Sequence, residues 1–250
     1  MRNNELVSII TPSFNSERFI QECIDSVLMQ TYCNWELLIV DDCSVDSSSE
    51  LISMHNDERI IFTQLAKNLG AAEVRNIAIR KARGRYIAFL DADDLWHPQK
   101  LEKQICFMST DDIAFSFTTY QLISEDGLNK MNIIKAPNRV TYHSYLKNTI
   151  IGCLTVVIDR NKTGDFTMPN IRSSHDMALW LLILKRGFAA YGLSENLAQY
   201  RIVSSSNTAN KIKAAMDVWK VYREVEGLSF LYSIWCFLNY ILYAIKKRLL

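Results

Sequence analysis

The sequence predicts an α/β fold, a mostly parallel, doubly wound central sheet flanked by helices and followed by a C-terminal amphipathic helical extension. Three observations carry this expectation. Strand-length apolar runs alternate with segments whose apolar residues recur at helical spacing. Two of those runs end in clustered acid, Asp41 and Asp42 in one and Asp91, Asp93 and Asp94 in the other. At 250 residues, 49% hydrophobic and 22% charged, with eight glycines and four prolines, the chain can bury one sizeable core plus an appendage, and it contains no low-complexity linker.

Taken in order, residues 6–11 (LVSIIT) read as a strand, and Pro12, Ser13, Phe14 and Asn15 as the loop after it. Phe19, Ile20, Cys23, Ile24, Val27 and Leu28 then mark a helix of about three turns, with Asn15 or Ser16 as the expected cap. Residues 35–40 (WELLIV) form a second buried strand ending at Asp41 and Asp42, and Asp46 is placed to cap the short helix SSSELISMH. Residues 59–63 give a third strand and residues 71–83 a helix with Val74, Ile77 and Ala78 inward, closed by Gly84 as a C-cap. Residues 86–90 are an unbroken apolar run of parallel-strand character ending in Asp91, Asp93 and Asp94.

The second half is less regular. A helix over PQKLEKQICFM precedes two strands at 113–119 and 121–124, with a turn at Glu125, Asp126 and Gly127. CLTVVIDR from Cys153 reads as a strand, 159–174 as a loop, and 175–186 as a helix ended by Gly187. Two short strands follow at 188–193 and 197–203, and SSSN at 204–207 marks the boundary between a domain spanning 1–207 and an extension spanning 208–250.

Composition narrows the function classes. The formal charge is only +1, so nothing favours a nucleic-acid partner, yet residues 211–250 hold seven Lys/Arg against three Asp/Glu. The six cysteines form neither C-x-x-C pairs nor Cys/His clusters with zinc spacing, as expected of reduced thiols in a cytoplasmic protein. The first fifteen residues contain no signal-peptide core. His55, His97 and His143 have no ligand partners at suitable spacing and read as surface or loop groups, and Trp180 reads as core or as an acceptor-stacking ring.

The loops discriminate among nucleotide sites. The loop after the first strand is TPSFNSE, without the glycines a dinucleotide fingerprint needs, and no P-loop is present. The sheet edge offers acid instead. Phosphates approach acid only through a cation, so Asp93 with Asp91 suggests Mn²⁺ or Mg²⁺, hard ions that take carboxylate oxygen and leave positions open for phosphate.

The segments VSIITPSFNSERFI, ELLIVDDCSVD and NLGAAEVRNIAIRKARGRYIAFLDADDLWHP closely resemble the inverting family 2 glycosyltransferases of the GT-A fold, over roughly residues 5–203. CLTVVIDR, DMALWLLILKRG, AYGL and YRIV resemble the members that build teichuronic acid, capsule and O-antigen. The resemblance implies that Pro12 and nearby backbone hold the nucleotide of a UDP-sugar, that Asp41 accepts a hydrogen bond from uracil, and that Arg75 contacts base or diphosphate. It places Asp91 near the ribose or a metal-bound water and Asp93 on the metal, and leaves Asp94 as turn or cap. Asp176 takes the family's base position, with His175 where Glu is usual. The processive Q-x-x-R-W signature is absent, so a single addition is expected. A sugar-nucleotide nucleotidyltransferase, or a non-catalytic nucleotide- or glycan-binding subunit, is the competing reading. The first would call for a Gly-rich loop after the first strand, which TPSFNSE is not.

In the tail, residues 228–245 carry no charge. On a helical wheel Phe230, Leu231, Ile234, Trp235, Phe237, Leu238, Ile241, Leu242 and Ile245 fill one side, opposite Ser229, Tyr232, Ser233, Asn239, Tyr240 and Tyr243. With Lys246, Lys247 and Arg248 beyond it, this helix suits an anionic membrane surface, where a lipid-linked glycan acceptor would be found. Packing of the apolar side on the catalytic domain or on a second subunit is the alternative.

Overall fold

The structure, a computed structural model, describes residues 4–203 and 211–249. The first half alternates as expected: β1 (Val7–Ser13), α1 (Ile20–Leu28), β2 (Trp35–Asp41), α2 (Ser48–Ser53), β3 (Ile60–Gln64), α3 (Ala71–Lys81) and β4 (Tyr86–Phe89). The second half adds β5 (Leu95–Trp96), α4 (Lys100–Thr110), β6 (Phe115–Ile123), β7 (Lys130–Ile134), β8 (Arg139–Val140), α5 (Tyr142–Lys147), β9 (Val157–Asp159), α6 (Arg160–Thr163), α7 (His175–Lys185) and β10 (Ala190–Arg201), with α8 (Lys211–Lys220) and α9 (Phe230–Leu249) in the tail.

The strands form one sheet in the order β3-β2-β1-β4-β9-β6-β10-β5, with β7 and β8 attached to β6 and β10. β1 runs parallel to β2 and β4, β2 to β3, and β6 to β10, whereas β9 is antiparallel to both its neighbours. Alternation along the strands feeds two cores. Ile9, Leu37, Ile39 and Ala88 face α1 and α4, and Ile10, Leu38, Val40, Ile87 and Phe89 face α3 and α7. Because β1, β2 and β4 are parallel, their carboxyl ends, with Ser13, Asp41 and the acidic loop after Phe89, lie along one edge.

Several local expectations need correction. Neither Asn15 nor Ser16 caps α1 by its side chain. The helix starts after a turn in which Ser16 O accepts from the N–H groups of Phe19 and Ile20, while Asn15 Oδ1 accepts from Val45 N. Pro12 lies on β1 rather than in the loop, paired with Val40. Gly84 does not cap α3. It passes against β1 so closely that a Cβ would sit 2.7 Å from Leu6 O and Ser8 N. Each pair of strands expected at 113–124 and at 188–203 is a single strand, β6 and β10, paired through a register shift between Leu193 and Asn196. Residues 153–155 form a 3₁₀ turn ahead of the short β9. The boundary segment SSSN lies outside the described residues.

In the tail, Val218, Tyr222 and Cys236 join the main core, and Tyr222 donates its hydroxyl proton to Leu146 O in α5. α9 docks by its small and polar face. Ser233 and Cys236 are buried, and Tyr232 OH lies 3.0 Å from His143 Nδ1. The apolar stripe points outward instead, with Leu231 79% exposed, Leu242 65%, Trp235 55% and Leu238 53%. Of that side Phe237 packs against the main core, 5.4 Å from the Trp219 ring, while Leu231, Trp235, Leu238 and Leu242 do not dock on the catalytic domain. Among the described residues no helix is long and apolar enough to cross a membrane.

Candidate functional site

The site is built where β1, β2 and β4 end. Asp41 is fully buried and saturated: its Oδ1 accepts from Ser13 Oγ at 3.2 Å and Ser44 Oγ at 2.5 Å, its Oδ2 from Ser44 N at 2.9 Å and Ser49 Oγ at 3.3 Å. A hydrogen bond from a base to this carboxylate would have to displace one of those serines. Asp42 is equally committed, accepting from Leu69 N at 2.6 Å and Gly70 N at 2.9 Å, so that it holds the NLG loop. Gly70 has φ +85°, a conformation that suits glycine and lets the chain turn directly into α3.

α3 turns its Arg75 and Asn76 toward the protein interior. Asn76 makes a reciprocal pair with the backbone of Met168, 2.9 Å from its Nδ2 and 2.7 Å to its Oδ1, which secures the chain on its way to α7. Arg75 Nη2 donates to Asp91 Oδ1, and Arg75 Nη1 lies 2.7 Å from His175 Nε2. The Arg75 Nε and His175 Nδ1 atoms are buried without a hydrogen-bond partner. Burial, then the Arg75 charge, pushes the His175 imidazole below its usual value, with Asp176 and Asp91 acting the other way. The R-N pair of the N-L-G-x-x-x-x-R-N segment thus joins three distant pieces of chain: the acidic loop, the residue 168 segment and the start of α7.

The three acids of the loop do different work. Asp91 is paired with Arg75 and partly exposed. Asp93 is pushed up to about 6, first by burial and then by Asp91, and among the described residues no other side chain donates a hydrogen bond to it. Asp94 is buried, accepts from Arg201 N at 2.9 Å, and is held well above the usual carboxylate range by burial and by the charges of Asp93 and Asp91. Its N–H closes the turn onto Asp91 O at 3.0 Å, and its carboxylate anchors that turn to β10. The three crowded acids favour a cation, and Asp93 is the one whose carboxylate has neither a side-chain partner nor a β10 partner already.

Sequence reasoning missed Arg201. Its side chain is fully buried, and it donates from Nε to Asp93 O at 2.9 Å, from Nη1 to Glu125 O at 3.0 Å and from Nη2 to Glu22 Oε2 at 2.7 Å. One guanidinium thereby ties the acidic loop to α1 and to the turn after β6. The available signal was an arginine inside the apolar segment YRIV, where an unpaired charge would not be tolerated.

Of the predicted site residues, the structure links Arg75 and Asp91 directly, with His175 completing the group. Asp176 is the second residue of α7, and its charge is felt at Arg75 and Tyr145. Pro12 and Asp41 sit along the same edge but are not hydrogen-bonded to that group. Trp180 is fully buried, 5.3 Å from Phe89 and 5.4 Å from Phe115 between ring centroids, so it is core and not a stacking surface. Among the described residues no three His, Cys, Asp or Glu side chains converge as a ready-made metal cage. The donor set, one half-buried carboxylate beside further acid, fits a hard divalent ion that takes its remaining oxygens from a substrate.

Known proteins share this fold and much of this sequence. The model of the family described as "Glycosyl transferase family 2" matches residues 8–167. The chain is 52% identical over 246 residues to a putative teichuronic acid biosynthesis glycosyltransferase of Bacillus subtilis, TuaG, covering 98% of each chain. It is 42% identical over 245 residues to an Escherichia coli UDP-Glc:alpha-D-GlcNAc-diphosphoundecaprenol beta-1,3-glucosyltransferase, WfgD, covering 97% of this chain and 95% of that one. Among solved structures it resembles S. aureus TarS 1-349 in complex with UDP-GlcNAc, with TM-score 0.72 and 19% identity, over 94% of this chain and 71% of that one. It also resembles the mannosyltransferase PcManGT from Pyrobaculum calidifontis in complex with GDP-Man and Mn²⁺, with TM-score 0.69 and 17% identity, over 89% of this chain and 64% of that one.

Proposed function

The chain belongs to glycosyl transferase family 2, and from that premise we propose that it is an inverting, metal-dependent transferase. It moves a sugar from a nucleoside-diphosphate donor, UDP-linked, onto a lipid-linked glycan acceptor in cell-surface polysaccharide biosynthesis. The observation that carries this reading is the Arg75 guanidinium, which joins the acidic loop at the end of β4 to the first turn of α7. It brings the groups expected to hold a diphosphate next to the group expected to take a proton.

In this reading Asp93 holds Mn²⁺ or Mg²⁺ and Asp91 stands beside it. The bound ion supplies positive charge where the departing diphosphate becomes more negative. Arg75, buried and permanently protonated, adds a fixed charge on the same side without reorganisation. Pro12 and the backbone around it line the nucleotide, with Asp41 and its serines shaping the floor. Asp176 accepts the proton of the acceptor hydroxyl as that oxygen attacks the anomeric carbon from the face opposite the leaving group. A side chain in this role contributes about 10²–10⁴-fold.

Residues 1–207 form the catalytic domain and 208–250 an extension that places it on the cytoplasmic face of the membrane. The outward stripe of Leu231, Trp235, Leu238 and Leu242, followed by Lys246, Lys247 and Arg248, supports an anionic lipid surface as the partner of α9. The test of the metal assignment is UDP release by Asp93→Ala with Mn²⁺ and a panel of UDP-sugars. Loss of turnover is expected, and full turnover would overturn it.

A further inference from the structure

Position 175 carries a residue whose protonation is dictated by its neighbour. Arginine has only donors, so Arg75 Nη1 at 2.7 Å requires His175 Nε2 to be bare and to accept, leaving the ring proton on Nδ1. The same guanidinium holds Asp91 through its other terminal nitrogen. Arg75 itself is fixed by α3, whose neighbouring Val74, Asn76 and Ala78 are buried. The start of α7 needs such a hold. Ser174 ahead of it is left-handed, φ 57°, and no side chain caps the helix. The next residue is Asp176.

We propose that His175 is a positioning residue: by accepting from Arg75 it locks the first turn of α7, and with it Asp176, at a fixed offset from the loop that carries Asp91 and Asp93. The inference rests on the reading of Asp176 as the base. A misplacement of about 1 Å at a reacting group costs on the order of 10²-fold.

The test compares His175→Phe, which keeps a ring and removes the acceptor, with His175→Gln, whose Oε1 can accept from Arg75, and with Asp176→Asn. Turnover is read with Mn²⁺, a UDP-sugar and a lipid-diphosphate-linked sugar as acceptor, and UDP affinity by calorimetry. His175→Phe is expected to lower kcat by about 10–100-fold and leave UDP affinity within about twofold, and His175→Gln to recover kcat to within about threefold. Should the Phe variant melt early, His175→Asn, too short to reach Arg75, replaces it, and the Gln variant must outperform it. Equal losses for Gln and its comparator, unchanged kcat in the Phe variant, or UDP affinity falling as far as kcat would each overturn the positioning role. If Asp176→Asn turns over normally, the base reading itself fails. If Asp176→Asn is inactive and His175→Phe is not, the positioning role alone fails.

Discussion

Replacing Asp93 with Asn separates what the acidic loop costs in stability from what it does. Burial and Asp91 raise the Asp93 carboxyl to about 6, so the folded state binds this proton more tightly than the unfolded chain does. Between the ordinary aspartate value near 4 and about 6, the folded state holds more protons, and stability falls as pH rises through that window. Keeping Asp93 ionised at pH 8 therefore costs up to about 3 kcal/mol, at about 1.4 kcal/mol per pH unit. Asparagine carries no charge to bury. For a chain of this length about 3 kcal/mol corresponds to roughly 6–12 °C. The metal-free Asp93→Asn protein should melt up to that much higher than wild type at pH 8, with the difference vanishing near pH 4. Adding Mn²⁺ at pH 8 should raise the wild-type melting temperature and leave the variant's unchanged. The assay is a melting series from pH 4 to pH 8 with chelator or Mn²⁺. A variant that melts at or below wild type at pH 8, or that gains as much from Mn²⁺, would refute the reasoning.

Other perturbations follow from the same structure. Lys100 is buried against the Trp96 ring, 4.0 Å from its centroid, with Gln104 Oε1 at 2.9 Å, and burial lowers it to about 7. Its folded-state value lies below the unfolded one, so stability is missing below pH 7 and returns as pH rises toward 10. Lys100→Met should stabilise the protein at pH 6 by up to about 5 kcal/mol and have little effect near pH 10, by denaturant titration. Arg201→Met strips the buried acceptors Asp93 O and Glu125 O, while Glu22 is 55% exposed and contributes little. A loss of about 3 kcal/mol is expected, and a melt within about 1 kcal/mol of wild type would mean that Arg201 does not hold the loop. Changing Leu231, Trp235, Leu238 and Leu242 together to Ser should leave the melting temperature almost unchanged, because all four are exposed, and abolish co-sedimentation with anionic vesicles. Retained sedimentation would remove α9 as the lipid contact.

The β3-β2-β1-β4 half of the sheet was legible because strands buried on both faces appear as continuous apolar runs, and their acidic ends are written in the same segments. The other half was not. β6 and β10 are interrupted by polar residues that pair regardless, so each was read as two strands, and the strand read from Cys153 is only the three-residue β9, whose antiparallel place between β4 and β6 no local pattern records. Asp93 and Asp91 could be singled out from local sequence, and Arg75 from the family resemblance. Arg201, Glu22 and Ser13 could not, because their partners lie far along the chain. Gly84 looked like a helix terminus and is a close approach to β1, which only the packing reveals. The wheel drawn for α9 separated the exposed Leu231, Trp235, Leu238 and Leu242 from the docked Tyr232 and Ser233, but it put Phe237, which packs on the core, on the outer side and Tyr243, 44% exposed, on the inner one. Which face docks is decided by α5, whose His143 offers a partner to Tyr232 while Ser233 and Cys236 are small enough for close contact.

The central claim is that sugar leaves a UDP donor held at the acidic loop and reaches an acceptor activated by Asp176. Its most direct test is acceptor-dependent UDP release by wild type and Asp176→Asn, with Mn²⁺, a UDP-sugar and a lipid-diphosphate-linked sugar, beside UDP calorimetry on both. Wild type should release UDP, and the variant should keep UDP affinity unchanged with kcat lower by about 10²–10⁴-fold. An Asp176→Asn enzyme that turns over like wild type, or one that loses UDP binding together with transfer, would contradict it.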